Sequence, residues 1–556
     1  MHLRGCIRAT AVLTALGVAV LGQAQDHRID AAPGNASIQE QDLRADLSYF
    51  ASDLLQGRLT GTTGNQLATE FVRARFERLG LKPMGDSGSY FQPYMLMTAA
   101  LGTSNDLSVE GAGKEVRTRV GDDFYPQQFS ASAHASGSLV FAGFGISAPD
   151  IGYDDYRGAD VRGRVVLVLD HEPGEPDPTS PFDGLVSADA GTPLRKTLAA
   201  QERGAVAILF VSDVHNHPGL AGYPFSSEAA NVWPQQRPRI DHYTLAAWAE
   251  RVRIPAITIS TTLASTMLHG TGQSLTEISR ASESTTGRLA RPISNVRVEV
   301  SASVTRGLVP DRNVLGAVEG SDPRLRDEWV IICAHLDHEG ADGTRIFNGA
   351  DDNGSGTVGL LEIAEAYTAA ARAGQRPRRS VLFGSWNSEE RGLLGSWAYT
   401  EHPAVPLDRT VALLNMDMIG RNEEVPANGG YRFLGVEPQQ SAQSNENAVN
   451  LLGYSYAPEL SDEAALANES FGLQLKRRYD NTVASLLSRS DQWPFLQHGV
   501  PAIWFHTGLH PDYHMPADRP EQINYEKLTR IVRLVHQTSW LIAERDDRLK
   551  LARSAN

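Results

Sequence analysis

Hydrophobic and polar positions form three different patterns along the chain: a helical one over 39–85, a β-rich one from about 131, and an alternation of apolar runs and helices from about 310. Over 39–85 apolar residues recur at helical spacing, first in QEQDLRADLSYFASDLL and then in GTTGNQLATEFVRARFERLG, and Gly80 is a plausible end for the second helix. From about 131 short β-rich runs follow one another, namely GSLVFAGFGI, GRVVLVLD, GAVAILFVS and IPAITIS. Polar loops separate these runs, and the helical run PLRKTLAAQERG lies between the second and the third. The pattern predicts a separate β-rich module over 131–295.

From about 310 continuous apolar runs alternate with helical segments. WVIICAHLDH, SVLFGSW, VALLNMDMIG and PAIWFHTG have the strand pattern, and TVGLLEIAEAYTAAARAG has the helical one. Runs of this kind are typical of a parallel sheet that is covered by helices on both faces. The sequence therefore predicts an α/β fold with a mostly parallel mixed sheet. The polar stretch 421–485 shows little strand pattern and is expected to be an insertion or a helical lid.

Acidic and imidazole side chains follow the predicted strands of this second region. In chain order they are His335, Asp337, His338, Asp351, Asp352, Glu389, Glu390, Asp417, His510 and His514. In open α/β sheets ligands bind beyond the carboxyl ends of the strands, so these side chains are expected to converge on one edge. Converging carboxylates destabilise a fold unless cations neutralise them. We therefore predict that at least one of Asp351 and Asp352 binds metal.

The donor types indicate which metal is expected. Oxygen and imidazole donors, with no thiolate available from the isolated Cys333, suit catalytic zinc, for which manganese or cobalt can substitute. Strand alternation puts His335 and Asp337 on the same face, so that Asp337 can fix the imidazole ring. Glu389 and Glu390 are neighbours and point in different directions. One of them can bind metal while the other stays free as a base.

Composition and the N-terminus narrow the functional classes. The 556 residues carry a formal net charge of −15 and no long Lys/Arg run, which argues against nucleic acid or an anionic membrane as partner. Residues 1–24 show the charged, apolar and small-residue order of a secretory signal peptide. Its removal takes away Cys6 and leaves Cys333 alone. We expect an exported protein, periplasmic or extracellular, with no membrane anchor after cleavage and with an oligomeric state that the sequence does not specify.

Five motifs carry a resemblance to a known family. AHLDH, GADDNGSG, NSEERGLLGS, NMDMIG and DYHMPAD, in this order, resemble the co-catalytic zinc exopeptidases, which include bacterial leucyl aminopeptidases and the glutamate carboxypeptidase type. The β-rich module at 131–295 resembles a protease-associated (PA) domain. It would be inserted into a catalytic domain formed by 25–130 and 296–548, with 549–556 as a tail. The resemblance covers nearly the whole chain after the signal peptide.

Carried over to this chain, the resemblance implies two zinc ions and a bridging hydroxide. The implied metal ligands are His335, Asp352, Glu390, Asp417 and His514. Asp352 bridges both ions and is followed by a cis peptide bond. Glu389 is the general base, Asp337 orients His335, and Tyr513 stabilises the transition state. The remaining candidates, Asp351, His338 and His510, are interpreted as loop residues.

The same resemblance leaves the substrate class open between alternatives. A secreted aminopeptidase acting on peptides is favoured because the site is rich in carboxylates, which attract a substrate ammonium group and repel a C-terminal carboxylate. A carboxypeptidase of the glutamate type is the rival, and it needs arginines near the metals. Arg489 and the neighbouring arginines of 421–485 match no such cluster and are expected to be solvated. A receptor-like protein without catalysis is the third alternative, but it would have lost metal ligands. The β-rich module contains His215 and His217 but no compact group of acids and histidines, so no chemistry is expected there.

Overall fold

The computed structural model describes residues 30–552 except 112–113, 187, 285 and 438–439. The predicted signal peptide at 1–24 lies outside the described residues. The α-helices of the described residues are α1 Glu40–Phe50, α2 Thr63–Leu79, α3 Pro193–Glu202, α4 Phe225–Val232, α5 Ala246–Arg251, α6 Thr261–Leu268, α7 Leu275–Ala281, α8 Gly356–Arg372, α9 Leu394–Glu401, α10 Pro458–Asn468, α11 Gln492–Gln497 and α12 Tyr525–Glu544. Among these helices, none is long and apolar enough to cross a bilayer.

The strands of the described residues form two large sheets and two small ribbons. In chain order they are β1 Lys82–Pro83, β2 Phe91–Leu101, β3 Asp106–Gly111, β4 Lys114–Arg117, β5 Phe124–Pro126, β6 Ala133–Phe141, β7 Ser147–Ala148, β8 Tyr153–Asp154, β9 Val165–Leu169, β10 Ala207–Val211, β11 Thr244–Leu245, β12 Ala256–Ile259, β13 Arg291–Ala302, β14 Val304–Val318, β15 Trp329–His335, β16 Gly340–Asp342, β17 Arg345–Phe347, β18 Ser380–Trp386, β19 Thr410–Met416, β20 Ala448–Leu452, β21 Gln474–Arg477 and β22 Ala502–His506.

The first helices follow the predicted pattern. Helix α2 begins after Thr62, whose side chain accepts a hydrogen bond from the backbone N–H of Asn65, and this N-cap satisfies one of the free donors of the first turn. The helix ends at Gly80, which adopts a left-handed backbone with φ of 77°. Glycine has no Cβ that would clash in that conformation, so the predicted stop at Gly80 is confirmed.

The larger sheet is mixed, with a parallel centre. Its strand order is β11-β2-β14-β18-β15-β19-β22-β20-β21, and β1 pairs with β14. The four central strands β18, β15, β19 and β22 are parallel, whereas β2, β14 and β1 on one side and β20 on the other pair antiparallel. The α/β class and the mixed sheet are confirmed, and the parallel character belongs mainly to the centre.

Both faces of this centre are covered, as its unbroken apolar runs predict. Along β15, Val330 and Ile332 face a core that α1, α2, α8 and α12 complete. Ile331 and Cys333 face a second core that α9 and α11 complete, with Trp386 at its centre. Alternate residues of one strand thus enter two different cores, which is why the strand reads as a continuous hydrophobic run.

The segment 421–485 differs from its expected structure. It contributes β20 and β21 to the larger sheet, with α10 between them, so the expectation of little sheet structure is wrong. Strand β20 lies between β22 and β21 and is buried, whereas β21 lies at the edge and reads QLKR with intermediate or exposed side chains. An exposed edge strand carries little apolar pattern, and the sequence signal was weak for that reason.

The β-rich module forms the second sheet. Its order is β4-β3-β13-β6-β9-β10-β12-β5, and β6, β9, β10 and β12 are parallel. Its strands extend from Asp106 to Ala302, beyond both ends of the predicted 131–295. The identification of this unit as a PA domain stays a prediction. One expectation for it is wrong, because it does contain a compact group of acid and imidazole side chains, formed by His171, Glu175 and His217.

Candidate metal centre

The parallel centre of the larger sheet brings the predicted ligands to one edge. Strand β15 ends at His335, which lies opposite Trp386 at the end of β18, and Met416 at the end of β19 lies opposite Phe505 of β22. Parallel strands end on the same side, so the polar residues that follow them meet. The prediction that these side chains converge is confirmed.

One cluster is formed by His335, Asp352 and Asp417. The Nε2 atom of His335 lies 3.4 Å from Oδ1 of Asp352 and 3.3 Å from Oδ1 of Asp417. All three residues are buried. Their ligand atoms lie close enough together to hold one metal ion.

A second cluster uses the other oxygen of Asp352. Its Oδ2 atom lies 2.9 Å from Nε2 of His514, and the same nitrogen is 3.1 Å from Oε2 of Glu390. Asp352 therefore belongs to both clusters, with one carboxylate oxygen directed at each. The five predicted ligands come together in two groups that share one aspartate.

His338 also belongs to the second cluster, which the sequence interpretation missed. Its Nδ1 lies 2.7 Å from Oε1 of Glu390 and 3.8 Å from Oδ2 of Asp352, and the ring is fully buried. His338 does lie in the loop after β15, as expected, but its contact with the second cluster was not predicted. Strand alternation would turn His338 away from His335, but β15 ends at His335 and the alternation ends with it.

The clusters contain buried polar atoms that lack hydrogen-bond partners among the described residues. They are His335 Nδ1 and Nε2, His338 Nε2, Asp417 Oδ1 and His514 Nε2. A buried donor or acceptor without a partner costs about 1–3 kcal/mol, so five of them on facing groups require an explanation. Carboxylate oxygens and imidazole nitrogens are ligands of zinc, and a metal in each cluster would satisfy them. The residues thus fit the predicted metals.

Electrostatics in the clusters follow from burial and mutual contact. Burial opposes the charge on Asp352, yet its close contacts with the imidazoles of His335 and His514 hold its pKa well below the usual range. Burial also opposes protonation of His335, but the neighbouring carboxylates of Glu389 and Asp417 raise its pKa well above the ordinary value. The protein by itself therefore prefers imidazolium–carboxylate pairs here. A bound cation would replace the protons of these imidazoles.

Glu389 and Glu390 differ as the sequence predicted that neighbours would. Glu390 lies in the second cluster, whereas Glu389 belongs to neither cluster: its Oε2 lies 3.8 Å from Nε2 of His335, and the side chain lines the open cavity. Burial raises the pKa of Glu389 well above its usual value. A carboxylate that can hold a proton and faces the cavity has the properties of a general base.

Asp337 holds the turn that carries both glutamates. Its Oδ1 accepts a hydrogen bond from the backbone N–H of Glu389 at 3.0 Å, and its Oδ2 accepts one from the N–H of Glu390 at 3.3 Å. The same Oδ1 lies 3.7 Å from Nδ1 of His335, which is longer than a hydrogen bond. The structure thus places Asp337 beside His335, as expected, and adds a contact to the glutamate turn.

The loop with the paired aspartates is a π-helical turn, Ala350–Ser355, and the Asp352–Asn353 peptide bond is cis, as the resemblance implies. The carboxylate of Asp518 accepts hydrogen bonds from the backbone N–H groups of Asp351 and Asp352. Gly349 has φ of 56°, and a Cβ there would lie 2.1 Å from the carbonyl oxygen of Asp352. The turn therefore needs both the Asp518 carboxylate and a glycine at 349.

Asp351, as expected, has a structural role in the same loop. Its Oδ1 accepts hydrogen bonds from the N–H of Gly420 at 2.6 Å and from the hydroxyl of Ser355 at 3.1 Å. His510, with Nε2 3.3 Å from Oδ2 of Asp351, lies behind the clusters and belongs to neither of them. Of the two adjacent aspartates, only Asp352 faces the metal ligands.

Arg58 holds two of the ligand-bearing segments together, and no sequence signal pointed to it. The guanidinium donates to four buried backbone carbonyls, those of Leu336 at 2.8 Å, Phe50 at 3.0 Å, Asn348 at 2.6 Å and Gly349 at 2.9 Å. Burial lowers its pKa to about 10, so it stays charged at neutral pH. The residue lies 278 positions or more from three of its partners in the chain, and only the fold reveals the contact.

The clusters open into a cavity of about 250 Å³. Its lining combines the carboxylates with an apolar wall that includes Leu486 and Leu509. Tyr513 also lines the cavity, and its ring centroid lies 4.0 Å from that of His514, with the rings tilted by 34°. Arg489 also lines the cavity, so the expectation that it is merely solvated is wrong. It comes from the short segment that joins β21 to α11, whose path could not be read from sequence.

Comparisons with known proteins place this site in a family. Residues 313–539, which contain all the cluster residues, match peptidase family M28. "Aminopeptidase NAALADL1" from Mus musculus is 38% identical over 147 residues, which is 26% of this chain and 18% of the relative. "Probable glutamate carboxypeptidase AMP1" from Arabidopsis thaliana is 30% identical over 213 residues, 37% of this chain and 26% of the relative. The chain thus spans about a fifth to a quarter of the length of these curated relatives.

Among solved structures, the aminopeptidase from Aneurinibacillus sp. strain AM-1 is 16% identical, with a TM-score of 0.47 over 94% of this chain and 97% of that one. The motif order, the two clusters and the match over 313–539 agree with one another. Residues 313–539, the part of the chain that holds both clusters, are similar to peptidase family M28.

Proposed function

We propose that this protein is an exported, zinc-dependent aminopeptidase that removes N-terminal residues from peptides. The observation that carries the proposal is the sharing of Asp352 between two clusters of metal-ligand type. One shared carboxylate keeps two cations close enough to act on the same substrate carbonyl. The apolar segment at 1–24 supports export.

In this proposal His335, Asp352 and Asp417 hold one zinc ion, and Asp352, Glu390 and His514 hold the other. When bound, the metal pair supplies Lewis-acid polarisation of the scissile carbonyl and an acidified water. The three ligand carboxylates offset three of the four positive charges that two zinc ions bring.

The remaining chemistry belongs to side chains of the cavity. Glu389 takes a proton from the attacking water on its carboxylate and gives it to the nitrogen of the leaving amine. Its raised pKa and its position on the cavity wall support that role. Asp337 keeps the Glu389 backbone and the His335 ring in place. Tyr513, which lines the cavity beside His514, is the proposed donor to the oxygen that becomes negative in the transition state.

Charge in the cavity supports cleavage from the amino end. Four carboxylates line it; three of them would bind the metals, and the fourth, Glu389, would face a substrate ammonium in its deprotonated form. A charged amine next to a buried carboxylate gains a charge-assisted hydrogen bond. This side of the site attracts a free N-terminus.

Arg489 favours a second candidate function, a carboxypeptidase. A guanidinium on the cavity wall could pair with the free carboxylate of a substrate in bidentate geometry. The names of the curated relatives include both aminopeptidase and glutamate carboxypeptidase. One arginine is weaker support than a cluster of arginines, and we therefore place the aminopeptidase first.

Blocked substrates separate the two functions. The full chain, loaded with zinc, is assayed with a free dipeptide, its N-acetylated form and its C-terminally amidated form. We expect turnover of the free and amidated substrates and none of the N-acetylated one. Rapid cleavage of the N-acetylated dipeptide and failure with the amide would assign the carboxypeptidase instead. Chelation should abolish either activity, and Zn²⁺, Co²⁺ or Mn²⁺ should restore it.

A further inference from the structure

A third group of metal-ligand type lies in the second sheet, outside the M28 region. Oε1 of Glu175 lies 2.8 Å from Nδ1 of His171, and Oε2 of the same carboxylate lies 2.6 Å from Nε2 of His217. The two imidazole rings are 4.3 Å apart between centroids. One carboxylate and two imidazoles thus have ligand atoms within 4.8 Å of one another, close enough to share one ion.

Two parallel strands bring these residues together. His171 follows β9 and His217 lies in the loop after β10, and β9 and β10 are adjacent and parallel. Their carboxyl ends therefore meet, as at the catalytic edge of the larger sheet. Glu175 lies four residues after His171 in the same loop. The arrangement repeats, on a second sheet, the placement that gathers ligands in the first.

Two side chains, the half-buried Glu283 and the buried Lys196, hold these loops in place before any ion binds. Glu283 accepts hydrogen bonds from the backbone N–H of Gly174 at 2.8 Å and from the amide of Asn216 at 2.7 Å, so it ties the first loop to the second. The ammonium group of Lys196, fully buried, donates to the carbonyl oxygens of Leu169 and His171. Ligands held in this way lose little freedom on binding, which favours affinity.

We propose that His171, Glu175 and His217 bind a third divalent ion of the zinc class. Two imidazoles and one carboxylate form the ligand set of open zinc sites, with water completing the coordination. Both histidine side chains are 33% exposed and Glu175 is 13% exposed, so an ion and its water can enter from solvent. Nε2 of His217 is itself buried and faces Oε2 of Glu175. Imidazole also excludes calcium and magnesium, which prefer oxygen ligands only.

The loop that carries two of these ligands continues to the wall of the catalytic cavity. The backbone N–H of Leu185 donates to the side chain of Asn481 at 3.1 Å, and Val186 is buried in the same core as Leu486, which lines the cavity. An ion at His171 and Glu175 fixes the start of a loop whose other end supports that wall.

Metal content of the full chain tests the site. The ligand variants are Glu175→Gln, His217→Gln and His171→Asn, the last chosen because His171 has φ of 59° and asparagine tolerates a left-handed backbone. His215→Gln is the matched control, since it lies in the same loop outside the group. Each ligand variant should bind one equivalent of zinc less than the wild type and the control. The affinity for that equivalent should fall by more than the roughly 10–100-fold typical of residues that only support a ligand.

Asp352→Asn separates this site from the catalytic one. This variant should lower the zinc occupancy of the two clusters that share Asp352 and leave the third equivalent bound. The proposed function can therefore fail while the third site is still found, and the two outcomes are distinguishable. Equal zinc content in the wild type and all three ligand variants would reduce the group to an ion-paired triad and overturn the proposal. If the variants do not fold, crystals of the wild-type protein soaked in excess zinc provide the test of the third site. An anomalous peak between the rings of His171 and His217 supports the site, and its absence overturns it.

Discussion

Replacing Arg58 with methionine removes the donor that links two ligand-bearing segments. One of its acceptors, the carbonyl of Leu336, directly follows His335, and another, that of Gly349, lies three residues before Asp352. Methionine fills much of the arginine stem but offers no hydrogen bond. The change therefore perturbs the positions of the ligands without touching any of them.

The magnitude follows from the four carbonyl oxygens that lose their donor. Each lost hydrogen bond to a buried acceptor costs about 1–3 kcal/mol, and the lower value applies because the variant no longer buries a guanidinium. Four such losses give about 4 kcal/mol of unfolding free energy, a large share of the 5–15 kcal/mol typical of a domain. Arg58→Lys keeps the charge, but one ammonium nitrogen cannot reach four carbonyls, so an intermediate loss is expected.

Urea unfolding and zinc titration measure the two consequences. The midpoint should fall strongly in Arg58→Met and moderately in Arg58→Lys, and zinc affinity should fall in the same order. Arg237→Met is the control, because its ion pair with Asp241 is exposed and contributes little. If Arg58→Met unfolds at the same urea concentration as the control and binds zinc equally well, the guanidinium does not position the ligand loops.

Three further changes test other parts of the site and fold. Glu389→Gln should keep both zinc ions and lower kcat by about 10²-fold or more, whereas Glu390→Gln should lose zinc; zinc analysis showing the reverse would exchange base and ligand. Arg489→Gln should leave the aminopeptidase kcat/KM within about threefold of the wild-type value, because an aminopeptidase binds no peptide carboxylate near Arg489. A loss of 10-fold or more in a steady-state assay, which corresponds to about 1.4 kcal/mol, would favour the carboxypeptidase. Burial raises the pKa of Glu362 from 4.5 to about 7, so the folded state keeps a proton that the unfolded state has lost, and stability should fall as pH rises through that window. Glu362→Gln should remove this slope and stabilise the protein at pH 8 by about 1–3 kcal/mol; unchanged urea midpoints from pH 5 to pH 8 in both proteins would contradict the assignment.

The fold could be predicted where apolar pattern and burial coincide. Strand β15 is buried on both faces and β18, β19 and β22 surround it, so their unbroken apolar runs identify them as central strands. The same reasoning failed at β21, an edge strand with exposed side chains that obeys no strong pattern. The spacing of apolar residues reflects burial, so a helix or strand that is not buried shows only a weak pattern in the sequence.

The candidate site likewise contains residues that the local sequence identifies and residues that only the fold brings to the site. Its acidic and imidazole residues follow strands, and the parallel centre fixes where those strands end, so sequence alone suffices to gather them. His338, Arg58 and Arg489 depend instead on how the chain turns after each element, and nothing in their neighbours encodes those turns. The group of His171, Glu175 and His217 was missed for a related reason: its histidines lie 46 positions apart, on two strands whose adjacency only the sheet order reveals. The carboxyl ends of adjacent parallel strands bring ligand side chains together in the second sheet as they do in the larger sheet.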